Sequence, residues 1–169
     1  MAPWQDPVAR PRPRTGDRGR WRVIVYADSS ALVKLFLDER DSDIARSMWG
    51  SGVSLATSRV SHAELACALA SAVHSSRDRR GEVDSDVVDG EFLRRSATFV
   101  EVDEDLARKA AVFGVRHGLS GLDAIHVASA MTFADFAPVF VSWDERQRRA
   151  AAAEGLAVYP EETTTAALR

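Results

Sequence analysis

The chain contains a single cysteine, Cys67, among 169 residues. That excludes an internal disulfide and suits a reducing compartment. Cys67 lies in an Ala-rich stretch, where a free thiol is expected to behave as a small apolar group. No apolar run reaches the ~18 residues that a membrane-spanning helix needs. The N-terminus is basic but lacks the apolar core of a secretory signal. The expected location is therefore the cytoplasm, with no membrane partner. No Cys/His cluster offers a zinc site. No Gly-x-x-x-x-Gly-Lys-Ser/Thr loop is present, so P-loop hydrolysis of nucleoside triphosphates is unsupported, and no Gly-x-Ser-x-Gly elbow marks a serine hydrolase. A general basic surface is missing too. Residues 1–22 hold six Arg against two Asp, so of the net charge of −3 a surplus of +4 sits there and −7 falls on the remainder. An acidic domain can still bind RNA if metal ions bridge its carboxylates to phosphates.

Hydrophobic residues make up 46% of the chain, enough for one sizeable core. Residues 1–22, with Arg10-Pro11-Arg12-Pro13-Arg14, cannot bury a core and are expected to be disordered. Two readings of that segment stand, an RNA-contacting arm and an extension from a misplaced start codon, and the second is preferred. The folded domain is placed at 23–160, with a C-terminal tail at 161–169.

Within the domain, strands alternate with helices. Val23–Ala27 is a continuous apolar run of the kind buried on both faces of a parallel sheet. Asp28-Ser29-Ser30 ends it and caps a helix from Ala31 to about Asp38. Asp41-Ser42-Asp43 caps a second helix ending at Trp49-Gly50. Val53–Ala56 reads as a strand, and Thr57 or Ser58 as the start of a long helix to about His74. Residues 75–84 read as a loop and Ser85–Arg95 as a helix. Thr98–Val102 is a strand; Asp103 or Asp105 opens a helix that stops at Gly118. A further helix, about 121–133, follows the N-cap Ser120. Pro138–Ser142 is a strand, Asp144 starts a helix that stops at Gly155, and Leu156–Tyr159 is a last short strand. This alternation indicates an α/β domain with a parallel sheet and helices on both faces. Its crevice should lie beyond the carboxyl ends of the strands.

Four acids are placed by this layout near that one edge: Asp28, Glu64, Asp123 and Asp144. Each has a structural explanation. Asp28 and Asp144 can be N-caps, Glu64 can complete a Ser61-x-x-Glu64 capping box, and Asp123 can meet the dipole of its helix. Together they suit metal-assisted phosphodiester hydrolysis, since Mg²⁺ and Mn²⁺ prefer carboxylate and water oxygens. A phospho-aspartate enzyme of the haloacid dehalogenase type would need a second Asp two residues after Asp28, where this chain has Ser30.

The run Val23-Ile24-Val25-Tyr26-Ala27-Asp28-Ser29-Ser30-Ala31-Leu32-Val33-Lys34 resembles the opening of PIN-domain proteins, especially VapC-type toxins. So do Leu122–Ala130, the stretch Phe140–Arg146 with Ala150-Ala151 and Gly155-Leu156 after it, and Ser61–Leu65 at the second acidic position. The resemblance runs from about Val23 to Tyr159. It implies a three-layer α/β/α PIN-like fold around a parallel sheet of four to five strands. It also implies a Mg²⁺-dependent endoribonuclease, with Mn²⁺ able to substitute, that acts on a structured RNA such as tRNA or rRNA. By position, Asp28 and Asp123 would be the main metal ligands, and Asp144 would bind directly or through water. Glu64 would orient or deprotonate the attacking water, or bind a second metal. Ser142 and Ser29 would support the metal site from behind, although capping suits Ser29 as well. Lys34 would contact a phosphate, pair with an acid or remain solvated. His126, one turn after Asp123, could hydrogen-bond it, but a structural role is preferred. Many relatives carry an Arg where this chain has Ser71, so a phosphate contact is missing or comes from Arg59, Arg77 or Arg79. The implied partners are an antitoxin protein and a second copy in a homodimer, with helices Ala31–Leu37 and Glu64–Val73 as candidate interfaces. The competing readings are a catalytically inactive PIN-like binding module acting within a complex, and a metal-dependent DNA nuclease or phosphatase.

Overall fold

The computed structural model describes residues 23–50, 53–75 and 91–161. The Arg/Pro-rich segment, most of the 161–169 tail, the 75–84 loop beyond Ser75, and the part of the Ser85–Arg95 helix before Glu91 lie outside the described residues.

The elements in chain order are β1 (Ile24–Ala27), α1 (Ser29–Phe36), α2 (Ser42–Gly50), β2 (Ser54–Ser58), α3 (Val60–Ser75), α4 (Glu91–Ser96) and β3 (Ala97–Val100). They continue with α5 (Glu104–His117), α6 (Gly121–Ala130), a 3₁₀ turn (Met131–Phe136), β4 (Val139–Val141), α7 (Glu145–Ala153) and β5 (Ala157–Tyr159). The five strands pair in the order β3-β2-β1-β4-β5, every pair parallel. Strand β1 is central, so the chain moves outward on one side of it and then on the other. The reversal falls between β1 and β4, where a doubly wound sheet opens its crevice.

Alternation along the strands distributes two cores. Tyr26, Ala56 and Phe140 point to one face and pack with Leu106, Ala110 and Phe113 of α5, Ala124, Val127 and Ala128 of α6, and Ala150 and Ala151 of α7. Val25, Ala27, Leu55 and Val141 point to the other face, against Ala31 and Leu32 of α1, Leu65 and Leu69 of α3, and Leu93 of α4. The small residues of α6 bring its axis close to the sheet. Leu32 and Leu65, both fully buried, each contribute about 2 kcal/mol through burial. Cys67 lies on the outer side of α3 and is exposed, not packed as a small core residue.

Local signals place several helix ends as expected. Asp103 caps α5, its carboxylate accepting from Leu106 N at 2.8 Å. Gly118 closes the same helix in the left-handed conformation, φ 65°, which costs glycine nothing. Three expectations fail. Thr57 and Ser58 do not start a helix; they extend β2, fully buried and paired with Phe99 and Val100 of β3. The Thr57 hydroxyl donates to Ala27 O at 2.7 Å, so a polar side chain is satisfied inside the sheet. Ser61 is accordingly not an N-cap: it lies inside α3, its hydroxyl 2.6 Å from that of Thr57, and the capping box with Glu64 does not form. The helix expected to run to 133 is α-helical only to Ala130 and tightens into the 3₁₀ turn.

Candidate active site at the carboxyl edge of the sheet

Strand β1 ends at Ala27, and the next residue turns into α1. Asp28 caps that helix: Oδ1 accepts from Ala31 N (2.9 Å) and from the Ser30 hydroxyl (2.8 Å). Its other oxygen accepts from the Ser142 hydroxyl at 2.7 Å, which reaches across from the end of β4. Asp28 is 1% exposed. Burial pushes its carboxyl above the ordinary value, against the electrostatic pull of His126 and of the hydrogen bonds from Ser142, Ala31 and Ser30.

The end of β4 is laced to the same corner. Ser142 Oγ, also fully buried, accepts from Asp144 N at 3.0 Å while donating to Asp28. Trp143 N donates to Ser30 Oγ at 2.8 Å. Asp144 caps α7 through Oδ1, which accepts from Arg146 N (2.7 Å) and Gln147 N (3.2 Å). Gln147 then turns its amide toward α6, where Nε2 donates to Asp123 Oδ1 at 3.0 Å. Asp123 Oδ2 accepts from the Ser120 hydroxyl at 2.7 Å. Ser142 and Gln147 thus connect Asp28, Asp144 and Asp123 in series. Gln147 carried no functional expectation; only its place one turn after Asp144 hinted at it.

Glu64 arrives from α3. Its Oε2 accepts a short bond from the Ser29 hydroxyl and lies 2.8 Å from His126 Nε2. Burial would raise its pKa, but His126 and the Ser29 hydroxyl outweigh that and hold it below the ordinary value. His126 does not bond Asp123, one turn back on its own helix. It faces Glu64, Ser29 (3.2 Å) and, through Nδ1, the Tyr26 hydroxyl (3.0 Å). The side-chain contacts of His126 lie on β1, α1 and α3, far away in sequence, so spacing along α6 could not reveal them. Ser29 is the first residue of α1 and leaves the capping to Asp28.

Lys34 is 6% exposed. Its ammonium donates to Arg40 O (2.7 Å), pairs with Glu39 (3.3 Å) and lies 5.0 Å from the Trp143 ring centre. Of the roles open to it, the acid pair is the one formed here, and a phosphate contact would require it to leave these partners. Arg59 is paired with Glu101 and stacked on Phe99 at the far strand, while Arg77 and Arg79 lie outside the described residues.

A model of the PIN domain matches residues 25–153. The chain belongs to the PIN-domain family. Two ribonucleases of Mycobacterium tuberculosis, VapC45 and VapC49, are each 32% identical to it over 137 residues, covering 81% of this chain and 95% of theirs. Among solved structures, M. tuberculosis VapC20, a sarcin-ricin loop cleaving toxin, aligns with a TM-score of 0.59 at 20% identity over 78% of this chain and 95% of that one. FitAcB from Neisseria gonorrhoeae aligns with a TM-score of 0.54 at 17% identity, over 79% and 95%. At these identities the structural likeness concerns the fold: a parallel sheet with flanking helices, as the strand order here shows.

In this PIN domain the acids line one edge but do not form a closed cage. Among the described residues no three His, Cys, Asp or Glu side chains stand together as ligands of one ion. The donor chemistry nevertheless fits a hard divalent cation, since the available atoms are carboxylate and hydroxyl oxygens with no thiolate. An ion that keeps most of its water needs only one or two carboxylates. Asp28 is also a buried carboxylate touched only by neutral donors, the electrostatic setting that a cation or a proton relieves. Glu64 Oε1 and Asp144 Oδ2 have no hydrogen-bond partner among the described residues. No described helix is long and apolar enough to cross a membrane.

Proposed function

We propose that this chain is a metal-dependent endoribonuclease, the toxin of a toxin–antitoxin pair, acting in the cytoplasm. The observation that carries the reading is the hydrogen-bonded series Asp28–Ser142–Asp144–Gln147–Asp123 at the sheet edge, with Glu64 held by Ser29, the residue after Asp28. The names of the VapC relatives support the ribonuclease class. Mg²⁺, with Mn²⁺ as a substitute, is the proposed cofactor. When bound, it supplies a water of lowered pKa and neutralises charge building on the phosphate. Asp28 and Asp123 would hold the ion, with Asp144 as a further carboxylate for it, directly or through a water. Ser142 holds Asp28 in place from behind, and Ser29 does the same for Glu64. Glu64, kept ionised by His126 and Ser29, orients the attacking water and accepts its proton. The substrate is a structured RNA such as tRNA or rRNA. The partners are an antitoxin protein and a second copy of the chain.

Asp123→Asn keeps the Ser120 contact and the shape of the site but removes the negative charge that Asp123 can offer a cation. It should abolish Mg²⁺-dependent RNA cleavage while circular dichroism shows an unchanged fold. Full activity in that variant rejects the assigned site. A binding-module reading draws on a specific feature: Asp28 and Asp144 both serve as helix caps. Calorimetry separates the two. Neither Mg²⁺ nor Mn²⁺ binding, together with no cleavage of RNA by the purified protein, decides for the binding module, and cleavage of DNA alone decides for a DNA nuclease.

A further inference from the structure

His126 is 1% exposed and buried among elements from three parts of the chain. Asp28, Asp123 and Asp144 are held by serine hydroxyls, backbone amides and one glutamine. Glu64 alone is held by an imidazole, which in turn meets a phenol. Tyr26, 0% exposed, stacks on Phe140 with ring centres 5.6 Å apart and planes 7° apart, and meets the His126 ring edge-on at 6.1 Å and 70°. Its hydroxyl therefore has little freedom to move away from Nδ1.

The donors and acceptors in this group can be assigned by elimination. The Glu64 carboxylate, held ionised, has only lone pairs to offer, so the proton in the 2.8 Å contact is carried by His126 Nε2. A phenol is protonated at neutral pH, so the Tyr26 hydroxyl has a proton to donate to its one hydrogen-bond partner among the described residues. A neutral imidazole with hydrogen on Nε2 has a bare Nδ1, which accepts that proton at 3.0 Å. The Ser29 hydroxyl donates to the same Glu64 oxygen, and its 3.2 Å approach to Nε2 follows from two donors sharing one acceptor.

We propose that Tyr26 and His126 are positioning residues for Glu64. The Tyr26 hydroxyl sets the imidazole in its Nε2–H form, that N–H and the Ser29 hydroxyl clamp Oε2, and Oε1 is left to face the cleft. The cleft, about 430 Å³, is lined by Ser30, Val33, Lys34, Ala68 and Trp143 as well as by Glu64 itself. Without the clamp, the long side chain of this partly buried glutamate would sample several rotamers, and its free oxygen would face the cleft only part of the time. The relay is a property of the metal-free protein; its effect on cleavage rests on the nuclease reading.

Two measurements test it. The first is ¹⁵N NMR of the imidazole rings in the metal-free full chain near neutral pH. His126 should show a protonated Nε2 and an unprotonated Nδ1, and Tyr26→Phe should shift the Nδ1 signal. An Nδ1–H tautomer, an imidazolium, or ring signals unmoved by Tyr26→Phe would each overturn the relay. The second is RNA cleavage by His126→Leu and His126→Gln, each checked for folding by thermal unfolding. Leucine should lower kcat by roughly tenfold or more with KM unchanged, and glutamine, whose side-chain amide can also donate to Glu64, should recover most of that loss. Equal activity in folded leucine and glutamine variants contradicts the positioning role. If the wild-type chain cleaves no RNA, the nuclease reading fails, and the ring signals alone decide the relay.

Discussion

Replacing Ser142 by alanine should cost more stability than a serine-to-alanine change usually does. The hydroxyl is fully buried, donates to the Asp28 carboxylate at 2.7 Å and accepts from Asp144 N at 3.0 Å. Deleting it removes one hydrogen bond to a charged group, about 1.5–3 kcal/mol. The Asp144 amide lies near the surface, where water can replace its lost acceptor, so that half adds little. The expected total is about 2–3 kcal/mol, which for a domain of this size lowers the melting temperature by roughly 10 °C. Urea unfolding in chelator, with unchanged slope, measures it. A double-mutant cycle with Asp28→Asn sharpens the test. Against a neutral acceptor the same bond is worth about 1 kcal/mol, so the two substitutions should be coupled by about 1–2 kcal/mol. If Ser142→Ala stays within about 0.5 kcal/mol of wild type, or the two costs simply add, the hydroxyl is not holding a charge and the reasoning is wrong.

Other consequences of the same corner can be checked. Burial raises the Asp28 pKa above 3.8, so its contribution to metal-free stability is fully present below that value and is lost as pH rises through the raised folded value. Urea midpoints from about pH 3.5 to about pH 7 should therefore show wild type losing ground to Asp28→Asn, which does not titrate, and Mg²⁺ should restore wild type only; a constant difference between the two contradicts this. Gln147→Leu removes the donor to Asp123 and should weaken Mg²⁺ binding by about tenfold in calorimetry. Its stability should change little, because the Gln147 carbonyl oxygen is buried without a partner; unchanged affinity would show that Asp123 orients itself. Gly118→Ala should destabilise by about 1 kcal/mol in urea unfolding, for conformational reasons alone, since nothing lies within 4 Å of the added methyl; an unaffected midpoint would mean the turn relaxes.

Much of this structure was readable one residue at a time. Asp28, Asp103 and Asp144 cap their helices as the sequence suggested, and Gly118 and Gly155 take up positive φ at the stops. These signals are local: a short polar side chain reaches an amide two or three residues away, and glycine alone adopts the left-handed turn without strain. The parallel α/β layout followed from the alternation of strands and helices, and the PIN resemblance from the motifs around the four acids. What went unread depends on distant partners. Thr57 and Ser58 resemble helix caps because hydroxyl residues before an apolar run usually are; they are strand residues because β3 pairs with them from 42 residues further on and Ala27 accepts from Thr57. Ser61 and Glu64 match a capping box in spacing, yet the true partners of Glu64 are 35 and 62 residues away. For His126 a structural role is expected from sequence, while its partners Glu64, Ser29 and Tyr26 lie on other elements.

The bond between Ser142 and Asp28 joins residues 114 positions apart, and the proposed chemistry needs both ends of the chain at once. A ribosome releases Asp28 long before it has translated Ser142, Asp144 or Gln147. Until α7 is made, the Asp28 carboxylate lacks Ser142 and Asp123 lacks its amide donor. On the proposed chemistry, a nascent chain therefore lacks an assembled site for most of its synthesis. For an enzyme proposed to cut the RNAs that surround it while it is being made, that order of assembly is a safeguard written into the topology itself.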